Sequence, residues 1–425
     1  MIVSERKNRM IEIIALILVI VSLYLGESGV TVGGFGIPYK YLLEMGVVAL
    51  AFLEFMVYPN LEKGKKVFGF FMVFSAPMLI SILYSMFIWI FNFSGLRFMT
   101  RGLFYPVYNM IGFLAAAALV YIFEKRAVWI MALSITGICI YRIIMGILTV
   151  GFAEWSAEWI LLMQTVGIEV GPTLSAYEEF NEALFGLGLM LLYFIIMFIA
   201  FREYRRKFYL WILFLLGMFA FVTGFKRIAL GGIAAGVIFF LIGLPMSDER
   251  RKKYAVRIGI GMIIFSIGYL LISSSDLFVA ITDSLGIDTK GRDVIYQDVN
   301  EWYSFSPVFL GQGLGYVSRT MATLAESMRE LLGDSVYTAG EIHNDILRNY
   351  IELGFYAFPV WLYLMTVFRI RYFTKNYGGK AGVVVVLSLT YMFITYTTDN
   401  TYYYNLPNLA FALLPMTYAF QEEIS

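Results

Sequence analysis

Apolar runs of about 20 residues, each long enough to cross the hydrocarbon core of a bilayer, recur along this chain from Met10 to Phe420. They stand at 10–25, 41–58, 67–91, 103–123, 128–150, 180–201, 208–223, 228–244, 256–274, 354–368, 381–397 and 404–420. Such a pattern leaves little choice of architecture. A backbone in lipid must satisfy its own hydrogen bonds, and a helix does so within one segment. With 60% hydrophobic and 15% charged residues, the chain is too apolar for a soluble domain of 425 residues. The expected fold is an all-α polytopic membrane protein with about 12 transmembrane helices, forming one domain over residues 1–425. The lone Cys139 excludes a disulfide framework and a Cys-based metal site. A nucleic-acid partner is not expected.

Met1 to Arg9 is short and basic and leads into the first run without a small-residue cleavage site, so it reads as an anchor rather than a signal peptide. With the N-terminus in the cytoplasm, every even-numbered connection is basic: Lys63, Lys65 and Lys66; Lys125 and Arg126; the clusters Arg202–Lys207, Arg250–Arg257 and Arg369–Lys380. Most of the 32 basic residues fall on that side, as the positive-inside rule asks, and both termini are expected in the cytoplasm. The opposite side leans acidic. Its 151–179 connection carries Glu154, Glu158, Glu169, Glu178 and Glu179 and no base. A Lys or Arg on that outer side therefore calls for a reason.

The longest connection, 275–342, lies between helices 9 and 10 and faces outward, and its length marks it as a functional lid. Within it, Arg292–Tyr303 reads as a helix that stops near Pro307. Arg319–Leu332 reads as a second, with Met321, Leu324, Ala325, Met328 and Leu331 as an apolar stripe. Gly311, Gly313 and Gly315 suit a tight turn beneath the lid. They follow no strand and open no βαβ unit, so they do not mark a nucleotide site.

After the lid comes TAGEIHNDILRNYIELG, Thr338 to Gly354, with the only histidine of the chain. Thr338 and Glu341 have the spacing of a capping box, which predicts a helix start there, although Gly340 weakens its first turn. On that helix His343, Leu347, Tyr350 and Gly354 share one face, while Asp345, Arg348 and Glu352 share another and neutralise one another. His343 then lies near a positive helix end, where the dipole disfavours protonation and leaves a basic nitrogen. A loop-capping role is equally consistent with the spacing.

Other polar residues break the outer pattern. Lys226 and Arg227 lie in a short outer link, where they are either snorkelling anchors or, with the amides of the helix beginning near Ile228, an anion site. Arg142 lies within the fifth span and either meets a phosphate or pairs with a glutamate of the 151–179 loop. Asp399 in TTDNTYYYN sits among tyrosines suited to stacking on sugars, or to forming an interfacial belt. No outer cluster has the make-up of a metal site, so no metal and no cofactor is expected.

His343-Asn344, nine residues, then Gly354 resembles the signature of the bacterial O-antigen polymerase and O-antigen ligase families. Arg227 matches the arginine that these families place at the start of the corresponding helix. Gly291, Arg292, Trp302, Pro307, Gly311, Gly313 and Gly315 resemble their outer loop. The resemblance runs from about Arg227 to Gly354, through short motifs. It departs from the ligase pattern at Ala357, and the arginine-x10-glycine pattern of some polymerases is missing, since Tyr303 and Ile238 stand where the glycines would be.

The resemblance implies a GT-C-like fold and an inner-membrane enzyme working on the periplasmic face. Its substrates would be an undecaprenyl-pyrophosphate-linked oligosaccharide donor and a glycan acceptor, with the lipid bilayer and a chain-length regulator as partners. The implied reaction is inverting and metal-independent. His343 would be the general base, and Arg227 and Arg292, with Lys226 and Arg142, would hold the pyrophosphate. Asn344, Trp302, Tyr350 and Asp399 would contact sugar or acceptor. The implied product is a polymer of O-antigen, capsule or exopolysaccharide repeats. Transfer to a lipid A core or to a protein hydroxyl are the alternatives. A lipid-linked glycan flippase is a reading from another class, and the outer placement of the unusual charges speaks against it.

Overall fold

In a computed structural model of the chain, residues 2–26, 28–32, 35–91, 96–164, 181–224, 226–284, 292–332 and 342–421 are described. The apolar stretches fold as helices. They are α1 (Ile2–Leu25), α2 (Tyr39–Val57), α3 (Leu61–Phe91), α4 (Leu96–Phe123) and α5 (Ala127–Val150). Then come α6 (Phe152–Gln164), α7 (Asn181–Ala200), α8 (Phe208–Gly224), α9 (Arg227–Gly243) and α10 (Asp248–Ser273). The long connection supplies α11 (Asp276–Ser284), α12 (Arg292–Asp298) and α13 (Tyr316–Leu332) before α14 (Asp345–Tyr363), α15 (Arg369–Tyr396) and α16 (Asn405–Ala419).

Among the described residues, five helical stretches are long and apolar enough to cross a membrane: Leu61–Phe91, Gly102–Val150, Glu182–Ala200, Asp248–Ser273 and Asp345–Tyr396. Two exceed a single crossing. At 1.5 Å per residue, the 49 residues of Gly102–Val150 would reach about 74 Å if straight, against a core of about 30 Å. That stretch turns at Glu124, whose φ is 50°, and the 52-residue stretch breaks at Gly354 and Gly378. Large apolar side chains, among them Phe52, Leu148, Phe208, Leu215 and Ile264, stand exposed around the bundle. A coat like this is a liability in water and the ordinary lipid face of a membrane-embedded protein.

One strand pair interrupts the helical plan. Gly29–Val32 pairs antiparallel with Phe35–Pro38, in the register Val30 opposite Ile37. The all-α expectation thus needs this small hairpin added between α1 and α2.

The buried core runs through the middle and the last third of the chain. Every residue of α16 is buried, as are most of α7 and nearly all of the second half of α15. The bundle has two chemically distinct ends. At one, Arg126 lies 2.5 Å from Glu12, Lys63 2.7 Å from Glu124, and the Lys66 ammonium donates to the Ala419 carbonyl. At the other, Lys40 lies 3.0 Å from Glu182.

Arg369 corrects the sequence reading of its cluster. Grouped there with exposed basic residues, it is fully buried, donates from Nη2 to the Phe74 carbonyl at 2.7 Å and lies over the Phe74 and Phe411 rings. A π-helical turn, Leu364–Phe368, precedes it. Aromatic faces take the cation where water cannot.

The lid helices fall close to their expected places. α12 continues as a 3-10 turn through Trp302, and α13 starts at Tyr316, three residues before the expected Arg319. Gly291 lies outside the described residues.

A polar cavity at the candidate active site

His343 stands just ahead of α14, not inside a helix. Its backbone is left-handed (φ 48°), and Asn344 is the N-cap, its Oδ1 accepting the Leu347 amide at 3.0 Å. A left-handed residue cannot extend an α-helix, and an Asn cap satisfies one of the orphan amides of the first turn. The expected capping-box start at Thr338 and Glu341 is therefore corrected to Asp345; Thr338, Gly340 and Glu341 themselves lie outside the described residues. His343 no longer shares a face with Leu347, Tyr350 and Gly354. The Tyr296 hydroxyl donates to the His343 carbonyl at 3.3 Å, and the Asn400 amide nitrogen lies 3.4 Å from His343 Nδ1.

Asn400 also lines a cavity of about 590 Å³ at the acidic-leaning end of the bundle. Its wall is built from the end of α1, the start of α2, the middle of α4 and α5, the start of α7, α14 and the 397–404 link. Three cations line it: Lys40, Arg142 and Arg348. Lys40 pairs with Glu182, and the Asn405 amide donates to Glu44 at 3.1 Å. Arg142 reaches the Tyr24 carbonyl at 3.4 Å from Nη2. Arg348 is 1% exposed, and its guanidinium carbon sits 3.5 Å from the centre of the Tyr403 ring. Guanidinium tolerates such burial because a ring face takes its plane and its edge keeps donors for anions.

Arg348 and Glu352 do form an i,i+4 pair, Nε to Oε1 at 3.7 Å, but both are buried, not set on a solvated face. Each also grips the lid. Glu352 Oε1 accepts the amides of Gly315 (3.0 Å) and Val317 (3.3 Å) at the start of α13, and Arg348 donates to Ser318. A carboxylate on the first amides of a helix serves both as cap and as partner of its dipole. Asp345 takes a different partner, accepting the Tyr402 amide at 2.8 Å.

Gly354 has a physical reason. Its φ of 68° and ψ of −171° belong to a region that only glycine occupies freely. That break lets the lid backbone dock: Phe355 N donates to Phe309 O, Gln312 N to Ile351 O and Gly313 N to Glu352 O, at 2.9–3.0 Å. A Cβ on Gly354 would meet the Leu310 carbonyl carbon at 2.2 Å. The turn expected at Gly311, Gly313 and Gly315 is present, with φ of 92°, 82° and 82°.

The remaining predicted residues divide. Arg142 reaches the cavity. Lys226 approaches its margin, 5.8 Å from the Phe185 ring, which in turn neighbours the Tyr404 ring of the cavity wall. Arg227 is the first residue of α9 with an exposed side chain. Arg292 opens α12, and burial pushes the neighbouring Tyr296 phenol up to about 12 while the Arg292 charge opposes the shift. Neither Arg227 nor Arg292 lines the cavity.

The residues expected at sugar or acceptor all lie outside the lining of this cavity. Asn344 is fully buried as a cap. Tyr350 is 4% exposed, donates to the Ser304 carbonyl at 2.9 Å and packs edge-on against Tyr303 and Phe358, leaving no ring face for a sugar. Trp302 packs edge-on against Tyr316 in the lid. Asp399 accepts the Asn400 amide at 2.8 Å and so shapes the link that carries Asn400. The residues that sequence reasoning passed over are Lys40, Glu44, Glu182, Arg348 and Asn400. A signal existed for Lys40 and Arg348, since both are cations on the side that avoids them.

Compared with known proteins, the chain matches no family model, and no curated protein matches it.

Proposed function

We propose that this protein is a polysaccharide repeat-unit polymerase of the inner membrane, with 12 spans in a GT-C-like arrangement, both termini in the cytoplasm and the cavity facing the periplasm. It would transfer a growing glycan from undecaprenyl pyrophosphate to a second lipid-linked repeat. The observation that carries this is the convergence of Arg142, Arg348 and Lys40 on one cavity, with His343 in contact with Asn400 of its lining. Cations for a pyrophosphate and a base for a hydroxyl are the two needs of glycosyl transfer from such a donor.

In the proposed step the acceptor oxygen attacks the anomeric carbon from the face opposite the carrier, and the configuration inverts. Its proton passes to His343. The bond from the anomeric carbon to the carrier oxygen breaks, and the electron pair leaves with the pyrophosphate. Arg142 and Arg348 stabilise that charge from within the cavity, while Lys226, Arg227 and Arg292 draw the anion from its surroundings. Asn400 is a positioning residue. Among the described residues its Oδ1 has no hydrogen-bond partner, and turning the amide over brings that oxygen to Nδ1, which makes Nε2 the basic nitrogen. Glu352 holds the lid in place.

The test uses purified protein with lipid-linked repeats. A ladder of lengthening products is expected. Label appearing on added lipid A core instead would make it a ligase, and movement of intact donor across vesicles without a new glycosidic bond would make it a flippase. Arg142→Lys should retain only part of the rate, because ammonium lacks the planar fork that bonds two phosphate oxygens. Full activity in that variant would reduce Arg142 to bulk charge.

A further inference from the structure

At the end of the bundle that carries the basic clusters, a groove of about 650 Å³ opens between α5 and α8, with no lining residue in common with the polar cavity. Its two halves differ in chemistry. The rim holds Lys125, Arg126 and Lys207, with Glu203 as the one acid. The walls below are apolar: Ile130 and Leu133 come from α5, and Ile212, Leu213 and Leu216 from α8, at helical spacings that form two facing stripes running toward the membrane interior.

Two of the three rim cations are not spent on ion pairs among the described residues. Arg126 is paired with Glu12, but among the described residues Lys125 makes no ion pair, and Lys207 is held over the Tyr204 ring at 4.8 Å, where its ammonium keeps donors for an anion. The floor is stiff. Trp129 stacks on Tyr204 at 5.2 Å and packs edge-on against Phe194 at 4.8 Å, so the aromatic layer stands between the charged rim and the apolar stripes. Cations above, an amphipathic aromatic layer between and facing apolar stripes below reproduce the layers of a phospholipid: headgroup phosphate, glycerol and acyl chains.

We infer that this groove binds an anionic glycerophospholipid of the leaflet on the basic side. A zwitterionic lipid would leave the excess rim charge uncompensated, and a soluble anion would make no use of the apolar stripes. The site is independent of the glycan transfer proposed above.

Trp129 offers a direct readout. The full-length protein is placed in phosphatidylcholine nanodiscs and titrated with phosphatidylglycerol brominated on its acyl chains, and the fluorescence that disappears in Trp129→Phe is followed. Quenching of that component at low mole fractions of the brominated anionic lipid is expected, with brominated phosphatidylcholine far less effective. Replacing Lys125 and Lys207 by Gln together should raise the mole fraction for half-quenching roughly thirtyfold, as expected for two interfacial charges. Unchanged thermal melting and helical signal establish that the double variant is folded, and both lysines are exposed or half-buried outside the core. Equal quenching by the two lipids, or no change in the double variant, overturns the inference, because the groove is then an ordinary lipid face. Relief of the quenching by inorganic phosphate also overturns it, because the rim is then a soluble-anion site.

Discussion

His343 and Gly354 bound the same short helix and have opposite kinds of importance. His343 stands ahead of α14 and its N-cap, outside the helix, so His343→Ala should leave the thermal melting temperature close to wild type. Its rate should drop by roughly 10²–10⁴, the usual worth of a positioned proton acceptor. As pH falls the imidazole takes up a proton and can no longer accept one, so the wild-type rate should decline toward acid. Tyr296, raised to about 12 by burial, remains a protonated donor through neutral pH and adds no alkaline limb there. A pH–rate profile with no acid decline would remove His343 from the role of base. Gly354 should show the reverse. Gly354→Ala forces a glycine-only conformation and drives a Cβ into Leu310. The strained backbone and the overpacking together should cost roughly 2–6 kcal/mol. Loss of folded protein in detergent is the expected outcome, whereas a normal melting temperature would show that the lid can shift to make room.

At the scale of the element, α14 turns from a helix with one internally neutralised face into a clasp. Its first nine residues hold the start of α13 through Glu352 and Arg348, and its break at Gly354 receives the lid backbone. Glu352→Gln keeps the shape and removes the charge-assisted half of those bonds, which are worth roughly 1.5–3 kcal/mol. Hydrogen exchange at the amides of residues 315–320 should then accelerate while α16 stays protected. Unchanged exchange would mean that packing alone seats the lid. Much of this region was legible. The two lid helices, the glycine turn and the pairing of Arg348 with Glu352 follow from spacing. The helix start was not, because Thr338 and Glu341 offer a capping pattern that competes with Asn344, and the left-handed turn at His343 decides the contest through tertiary contacts. The burial of Arg348 and Arg369 was equally hidden. Both sit in polar-looking sequence, and the rings that shelter them, Tyr403, Phe74 and Phe411, are distant along the chain.

Over the whole molecule, the alternation of basic connections foreshadowed two chemically different ends, and all the apolar runs became helices. The hairpin Gly29–Val32 with Phe35–Pro38 was overlooked because its GVTV and FGIP halves are short and lie between stronger helical signals. The polar cavity was beyond reach from sequence, since its wall is assembled from segments between Ser22 and Leu406. Because the proposed chemistry rests on arginine and imidazole, transfer by the purified protein should persist at full rate in a strong chelator. Loss on chelation with recovery on adding a divalent ion would replace that mechanism.

The short polar helix before Gly354 also sets an order of manufacture. Asp345, Arg348 and Glu352 fall within eight residues, and inserting charges into lipid costs about 2.5–3.5 kcal/mol for each Asp or Arg at a helix centre. Arg348 and Glu352 can meet each other and the earlier lid residues Gly315, Val317 and Ser318 at once. But the Tyr402 amide that Asp345 takes and the Tyr403 ring and hydroxyl have not yet been synthesised when this helix leaves the ribosome. The segment must therefore wait at the membrane surface while the next spans are threaded, and the site can be assembled only after the C-terminal end of the chain has been made.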